Sequence, residues 1–353
     1  MVLRFAVVGC GKIATRGHLP ALKALEREGL VELVTVADLN ERAARRTVKA
    51  FGVPNYHVRP EDVAKRADVD AVCICTPTPT HAELCLLFAG AGKHILVEKP
   101  LCRTMEEARA VEEAAKSSGI LLSVVQNYRY IRAVREAKRA VLEGRLGRLL
   151  SIRGVLHRPF PVRWTRSRWL YEEGGVIYDH GPHLADTVLW LKGVRSPERI
   201  KSIHAAGGDL VGQAGFVSHA HALVEFDDGS SASLSISWLA GMEEFTLSLH
   251  GTGGSASIDV LYDAYVEEHG FRSPFDMFRL YYEGLKSTLR DYLRMTNPYD
   301  RPMAVYPELI SDFVRAAEGR GKPPVELGEA LATTLILDEM RKQLTSRAGG
   351  SES

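Results

Sequence analysis

The strongest constraint on the fold is an alternation of short apolar strands with helix-period segments through the first third of the chain. Leu3 to Val8 is an almost unbroken apolar run that stops at Gly9. Lys12 to Glu28 then carries apolar residues at helical spacing, Ala21, Leu22 and Leu25 among them. Val31 to Ala37, Ala71 to Cys75, His94 to Val97 and Leu121 to Val125 are further strand-like runs, separated by helical patterns at 40–51, 80–89 and 104–117. Thr104 and Glu107 stand where a capping box would start the last of these. Strands this short and this apolar need covering on both faces. The pattern therefore predicts a parallel sheet with helices on each side and right-handed crossovers.

The first strand–helix junction reads Gly9-Cys10-Gly11-Lys12-Ile13-Ala14, which fits G-x-G-x-x-A. Gly9 permits a tight turn, Gly11 lets backbone approach a pyrophosphate, and small Ala14 lets the helix pack close to the strand. The N–H groups at the helix start, around Lys12 and Ile13, then receive the phosphates. The second strand ends at Asp38. A carboxylate there accepts hydrogen bonds from the adenosine ribose and repels a 2′-phosphate, which favours NAD. Arg42, Arg45 and Arg46 follow on the next helix, where a solvated helix face is the favoured reading and a softening toward NADP the competing one. These features together predict a Rossmann domain over 1–127.

After Leu149 the pattern changes. Ile152 to Leu156, Arg199 to Ala205, Ala220 to Phe226, Ser231 to Trp238 and Phe245 to His250 are strand-like, and Ser255 to Asp259 adds another. Most follow one another without intervening helices, and Asp227-Asp228-Gly229 is a hairpin signal. Consecutive strands predict a mainly antiparallel sheet and an α+β domain over 128–353. A length of 353 residues suits two domains. A net charge of +1 argues against a bulk electrostatic grip on nucleic acid or anionic membrane. No apolar run has the length of a membrane span. The N-terminus enters a strand directly, without a leader pattern, so the expected location is the cytoplasm. The five cysteines (Cys10, Cys73, Cys75, Cys85, Cys102) form no Cys-x-x-Cys pair and read as buried structural thiols.

Two groups of polar residues carry chemistry. The strand-like run His94 to Val97 leads into Glu98-Lys99-Pro100, where open α/β sheets bind ligands. Pro100 biases Lys99 toward extended backbone. Further on, Gly174-Gly175 precedes a helical pattern over Val176 to Leu191 that holds Asp179 and His183 four residues apart. On one helix, that spacing puts a carboxylate and an imidazole on one face, a pairing that accepts protons near neutral pH. An ordinary surface ion pair is the competing reading. His219 with His221, or His180 with His183, lack a third ligand of convincing spacing, so no metal is expected.

On Gly9 to Ala14, His18-Leu19-Pro20, Thr76-Pro77-Thr78, Glu98-Lys99-Pro100 and the Gly-Gly-to-His stretch, the chain resembles the glucose–fructose oxidoreductase, inositol dehydrogenase and rhizopine-catabolism (Gfo/Idh/MocA) family over nearly its whole length. The resemblance implies a second domain with a large, open sheet. It implies hydride transfer between a nicotinamide cofactor and a secondary alcohol or ketone of a sugar, sugar acid or cyclitol. It makes Lys99, Asp179 and His183 the catalytic set. It adds Thr76, Pro77, His81, Glu98 and Asn127 to Gly9, Gly11, Lys12, Ile13, Asp38 and Lys99 as cofactor contacts. It also implies a homodimer or homotetramer packed through the C-terminal sheet. His180 departs from the family pattern, which has an apolar residue there.

Chemically, His183 is the proton acceptor, with an unperturbed pKa near ~6.5. Lys99 stabilises charge on the reacting oxygen, and Asp179 orients the substrate or Lys99. Tyr128, Trp164, Arg168 and Trp169 are candidate substrate contacts, since tryptophans stack on sugar rings and arginines grip acid groups. Two other functions stay open, the first fitting the Asp-Lys-His set as well as a dehydrogenase does, the second counted against by it. One is a redox-neutral enzyme that retains NAD while modifying a sugar. The other is a dinucleotide-binding sensor without chemistry.

Overall fold

The computed structural model describes residues 2–159, 174–210, 216–270, 274–293 and 300–348. Two compact units emerge, 1–127 with 302–331, and 128–301 with 332–353.

The first unit is built on a six-stranded sheet in the order β3-β2-β1-β4-β5-β6. Its strands are β1 (Leu3–Val8), β2 (Val31–Ala37), β3 (Asn55–His57), β4 (Ala71–Ile74), β5 (His94–Val97) and β6 (Leu122–Val124). All neighbouring pairs are parallel. Helices α1 (Leu19–Arg27), α2 (Glu41–Phe51), α3 (Pro60–Ala64), α4 (His81–Gly90) and α5 (Met105–Ser118) provide the crossovers. Asn40 caps α2 through the Ala43 N–H, and Thr104 caps α5 through the Glu107 N–H, as the capping pattern predicts. The order reverses between β1 and β4, so the ends of those strands open the crevice in which doubly wound sheets bind ligands. The edge strand β3 and the one-and-a-half-turn α3 carry too few periodic residues to stand out in the sequence, and neither is anticipated there.

A later stretch of chain completes this unit. Helices α10 (Arg301–Ala304) and α11 (Tyr306–Ala317) return to it, and so does the first turn of α12 (Leu327–Ala348). The ring of Phe313 lies 6.2 Å from that of Phe5. Val325, Ala330 and Leu331 join the same buried cluster as Val72, Ile95 and Val124.

The second unit holds a seven-stranded sheet in the order β13-β12-β11-β7-β10-β9-β8. The strands are β7 (Leu149–Pro159), β8 (Ile200–Gly208), β9 (His219–Phe226), β10 (Ser231–Ser237), β11 (Leu239–Gly251), β12 (Ser255–Asp259) and β13 (Ala264–Glu268). Every pair is antiparallel except β7 with β10, which run parallel and make the sheet mixed. Ala232, Leu234 and Ile236 of β10 alternate with serines, so one face is core and the other is polar. Helices α6 (Arg132–Leu142), α7 (Val176–Asp179) and α8 (Gly181–Lys192) belong to this unit, and α8 packs on the core face. A Cβ on Gly154 of β7 would stand 2.6 Å from the Leu184 side chain, so this glycine is what lets α8 approach. Helix α9 (Pro274–Leu293) lies against β13.

Candidate active site

In the first unit, the turn after β1 follows the geometry its glycines require. Gly9 has φ +94°, and a Cβ there would sit 2.7 Å from the Cys75 carbonyl. Only glycine fits both demands. Gly11 differs: nothing lies within 4 Å of the place its Cβ would occupy. Its lack of a side chain therefore leaves space for something outside the protein. A π-helical turn, Ala14–His18, joins the loop to α1. A cavity of about 420 Å³ opens here, within the range of small-molecule sites. Gly9, Gly11, Asp38, Thr76 and Pro77 line it, together with Arg59 and Glu61 from the start of α3.

Asp38 is held by its neighbours. Its carboxylate accepts the Cys10 N–H at 2.7 Å and the Asn40 N–H at 2.7 Å. That fixes the carboxylate at the cavity wall with lone pairs to spare for hydroxyl donors. Arg42, Arg45 and Arg46 are not among the lining residues, and Arg45 is engaged by Glu41 at 2.9 Å. Arg59 reaches Glu61 at 3.4 Å, so this cation of the wall has an acid beside it. This donor set fits an adenosine ribose without a 2′-phosphate. The space at Gly11 fits a pyrophosphate.

The other expected cofactor residues split into two groups. Lys12 is exposed beside the loop and Ile13 starts the π-turn. His81 is buried, its two ring nitrogens 2.8 Å from the Pro100 carbonyl and 2.9 Å from the Thr76 carbonyl. Burial pushes its pKa down against the pull of those carbonyls. The ring braces the β4 and β5 loops, and it acts on the cavity through the backbone it holds. Asn127 is buried too and donates to the Pro302 carbonyl at 2.8 Å.

Glu98 lies at the end of β5, 5% exposed. Its Oε1 meets His18 Nε2 at 2.8 Å and accepts the Tyr306 hydroxyl at 2.8 Å, while Oε2 accepts the Lys99 N–H at 3.3 Å. Burial works to raise the Glu98 pKa. The His18 hydrogen bond and charge, the Tyr306 hydroxyl and Lys99 outweigh it, and the carboxyl is held below its usual range. Gly17 makes the network possible, because a Cβ there would strike the Tyr306 ring at 2.9 Å. Lys99 thus leaves the sheet from a backbone pinned by a buried charge.

In the second unit the expected single helix is two. The α7 helix ends at Asp179, and α8 begins at Gly181, with His180 serving both as cap. Pro182 has no N–H to continue the ladder, which is the physical reason for the break. Asp179 therefore closes one helix and His183 sits in the first turn of the next. Gly174 and Gly175, which precede α7, are sites of close packing. A Cβ on Gly175 would stand 2.3 Å from the Val217 carbonyl oxygen, at φ +58°.

Asp179 accepts the Trp238 indole N–H at 3.1 Å and lies 3.4 Å from His180 Nε2. His180 is buried with its ring edge toward Trp238. The residue that departs from the family pattern therefore extends the polar group around Asp179. Tyr128 is buried and meets the His183 ring edge-on at 4.7 Å, and its hydroxyl accepts from Arg158 at 3.2 Å. Nearby, Arg129 and Asp186 form a buried ion pair at 2.6 Å that ties α8 to the segment before α6. The proposed substrate contacts Trp164, Arg168 and Trp169 lie outside the described residues. The five cysteines are buried and unpaired, and burial pushes the Cys10 thiol up to about 11.

Two family models match the chain: an oxidoreductase family with NAD-binding Rossmann fold over residues 3–126, and the GFO/IDH/MocA C-terminal domain over residues 134–257. The chain belongs to the Gfo/Idh/MocA oxidoreductase family. Among curated Gfo/Idh/MocA relatives, it is 31% identical to 1,5-anhydro-D-fructose reductase of Ensifer adhaerens, over 71% of this chain and 74% of that one. It is 28% identical to the NAD(+)-dependent scyllo-inositol 2-dehydrogenase of Bacillus subtilis, over 73% and 74%. The WlbA dehydrogenase of Bordetella pertussis, solved with NADH and UDP-GlcNAcA, shares the fold at a TM-score of 0.82 and 21% identity, covering 99% and 96% of the two chains.

Within this Gfo/Idh/MocA chain, several site residues carry no local sequence signal. Tyr306 reaches Glu98 across 208 positions. Trp238 meets Asp179 across 59. Arg59 and Glu61 sit on the unanticipated α3. His18 stands in a recognisable His-Leu-Pro, but its partner is visible only in the fold.

Proposed function

We propose that this protein is an NAD-dependent dehydrogenase that oxidises a secondary alcohol of a sugar, sugar acid or cyclitol, or reduces the corresponding ketone. The observation that carries this reading is the cavity at Gly9, Gly11 and Asp38, shaped for a dinucleotide in a family whose curated relatives act on such molecules. Bound NAD supplies the hydride acceptor. Gly11 leaves room for its pyrophosphate, and Asp38 takes the ribose hydroxyls.

The chain's own residues handle the proton and the oxygen. His183 accepts the hydroxyl proton in the oxidative direction and returns it in the reductive one. The Lys99 ammonium hydrogen-bonds the reacting oxygen as negative charge develops. Asp179, oriented by Trp238, positions the substrate hydroxyls, and Tyr128 fixes the His183 ring. The sheet of the second unit contributes self-association through its polar outer face. Five unpaired thiols suit the reducing cytoplasm.

A panel of polyols, sugars and sugar acids, assayed with NAD and with NADP for both NADH absorbance and product, tests the reading. Net NADH formation on a member of the panel is the expected result. Product formation without it, from enzyme that retains NAD, would instead support the redox-neutral alternative. Lys99→Ala and His183→Ala should each lower kcat by about 10²–10⁴-fold while NAD still binds by calorimetry. Near wild-type turnover in both variants would remove these two residues from the mechanism.

A further inference from the structure

Helix α9 is amphipathic the wrong way round for a helix that serves only its own domain. Its small and polar side faces inward. Ser287 is buried, and Gly284 faces Tyr262 and Ala264, the nearest neighbours of the position its Cβ would take. Arg301 ties down that side through Ser287 and Asp291. The opposite side carries Phe275, Phe278, Tyr282, Leu285, Leu289 and Tyr292, each between 46% and 78% exposed. Their spacing is 3, 4, 3, 4, 3, the heptad spacing of a helix–helix seam, sustained through about two and a half repeats. Phe278 and Tyr282 stack along it, nearly parallel at 6.1 Å.

Exposed apolar stripes of this size mark interaction sites. A phenylalanine or tyrosine buries ~150–250 Å², so the four aromatic side chains of the seam, partly exposed, present on the order of 500 Å², to which Leu285 and Leu289 add. A stable protein interface takes about 800 Å² from each partner. The seam alone comes close to that figure. The outer sheet face is polar by contrast: β9 and β10 show Ser231, Ser233, Ser235, His219 and His221 there, with Leu223 as their exposed large apolar residue.

We infer that α9 pairs with α9 of a second copy of this chain, in a two-fold contact along the seam. The heptad spacing favours a partner helix over a membrane surface. Membrane-surface helices carry a broad apolar face and a strongly basic polar one. Here Tyr281 and Leu293, 71% and 72% exposed, flank the seam, but the polar side is not basic: the helix has three basic and three acidic residues, with Lys286 paired to Glu283 at 2.7 Å. A contact that pairs a surface with its own copy is closed and isologous, and a tetramer of dihedral symmetry needs two different ones. The α9 contact is independent of the sheet-face contact proposed above and supplies a second.

Light scattering on the size-separated full-length protein tests this, with a chain mass of 38.9 kDa as the unit. The wild type should elute as a multiple of that mass, and Leu285→Glu with Leu289→Glu should halve it. Both leucines are more than half exposed, so the far-ultraviolet circular dichroism spectrum should stay that of the wild type. Phe278→Asp, elsewhere on the seam, should act alike, and Leu285→Met with Leu289→Met should keep the wild-type mass. Ser233→Arg on the sheet face separates the two contacts, because it should leave the α9 contact intact. A wild-type monomer, or an unchanged mass in both seam variants, overturns the inference. So does flotation of the wild type with phosphatidylglycerol vesicles, abolished by the seam variants, when mass does not change. If Ser233→Arg alone breaks the assembly, the sheet contact stands and the helix contact falls.

Discussion

At the residue scale, the Glu98 carboxylate is the group on which Lys99 depends. It is buried, held below its usual pKa, and bonded to His18, Tyr306 and the Lys99 N–H. Glu98→Gln keeps the shape and removes the charge, so it should cost about 1.5–3 kcal/mol of stability at neutral pH. A carboxyl whose folded pKa lies below its unfolded value, near ~4.3, stabilises the fold above that value. The contribution is lost as pH falls through the folded pKa. The gap between wild type and Glu98→Gln should therefore be full at neutral pH and close as the solution is acidified below about pH 4. Urea unfolding at several pH values checks this, and a gap that does not change with pH would show that the charge is not what matters. Lys99 and His183 were named from position and spacing in the sequence, but what surrounds them was not. Tyr306 reaches Glu98, Trp238 reaches Asp179 and Tyr128 meets His183 by folding, and no local pattern encodes such contacts.

At the element scale, the glycines make sharply different predictions. Gly9→Ala puts a Cβ against the Cys75 carbonyl at a φ that L-residues avoid. The backbone conformation alone should cost about 1–3 kcal/mol, seen as a lower Tm with and without NAD. Gly11→Ala meets nothing in the protein, so its Tm should stay near wild type. Its NAD affinity should fall by about tenfold or more, since 1.4 kcal/mol of lost contact is enough. Calorimetric titration separates the two cases. Gly175→Ala forces a Cβ to 2.3 Å from the Val217 carbonyl oxygen, at the entry to α7. It should lower kcat through Asp179 while leaving NAD affinity unchanged, and a matching loss of NAD affinity would refute that division of labour. The sequence pattern located this helical region but ran it through Pro182. Apolar periodicity continued across the break, and it outweighed the missing N–H in the reading. Strand β13 carries no clear signal because its Ala-Tyr-Val-Glu-Glu run is short and two of its five residues are charged.

At the scale of the whole molecule, the returning segment 302–331 is part of the first unit's core rather than an appendage. Phe313 is fully buried and faces Phe5. Phe313→Ala should cost about 3–5 kcal/mol and weaken NAD binding with it, although it lies far along the chain from the Gly9 loop. A differential scanning calorimetry trace, run with and without NAD, reads both effects. An unchanged Tm would mean the returning helices contribute little to the nucleotide-binding unit. The mixed sheet is a result of the same kind. A run of consecutive strands predicts antiparallel pairing, yet β7 lies between β10 and β11, parallel to β10.

The sequence alone determined the parallel sheet, the dinucleotide turn and the ribose carboxylate. Each is written within a few neighbouring residues, through side-chain periodicity and the backbone angles that only glycine adopts. The Glu98–His18–Tyr306 network, the indole on Asp179 and the direction in which α9 turns its seam were decided by tertiary structure. The heptad is present in the letters, but which side of a helix meets its own domain depends on what packs there. Here the small side of α9, at Gly284 and Ser287, fits against its neighbours, and the aromatic side is left facing out.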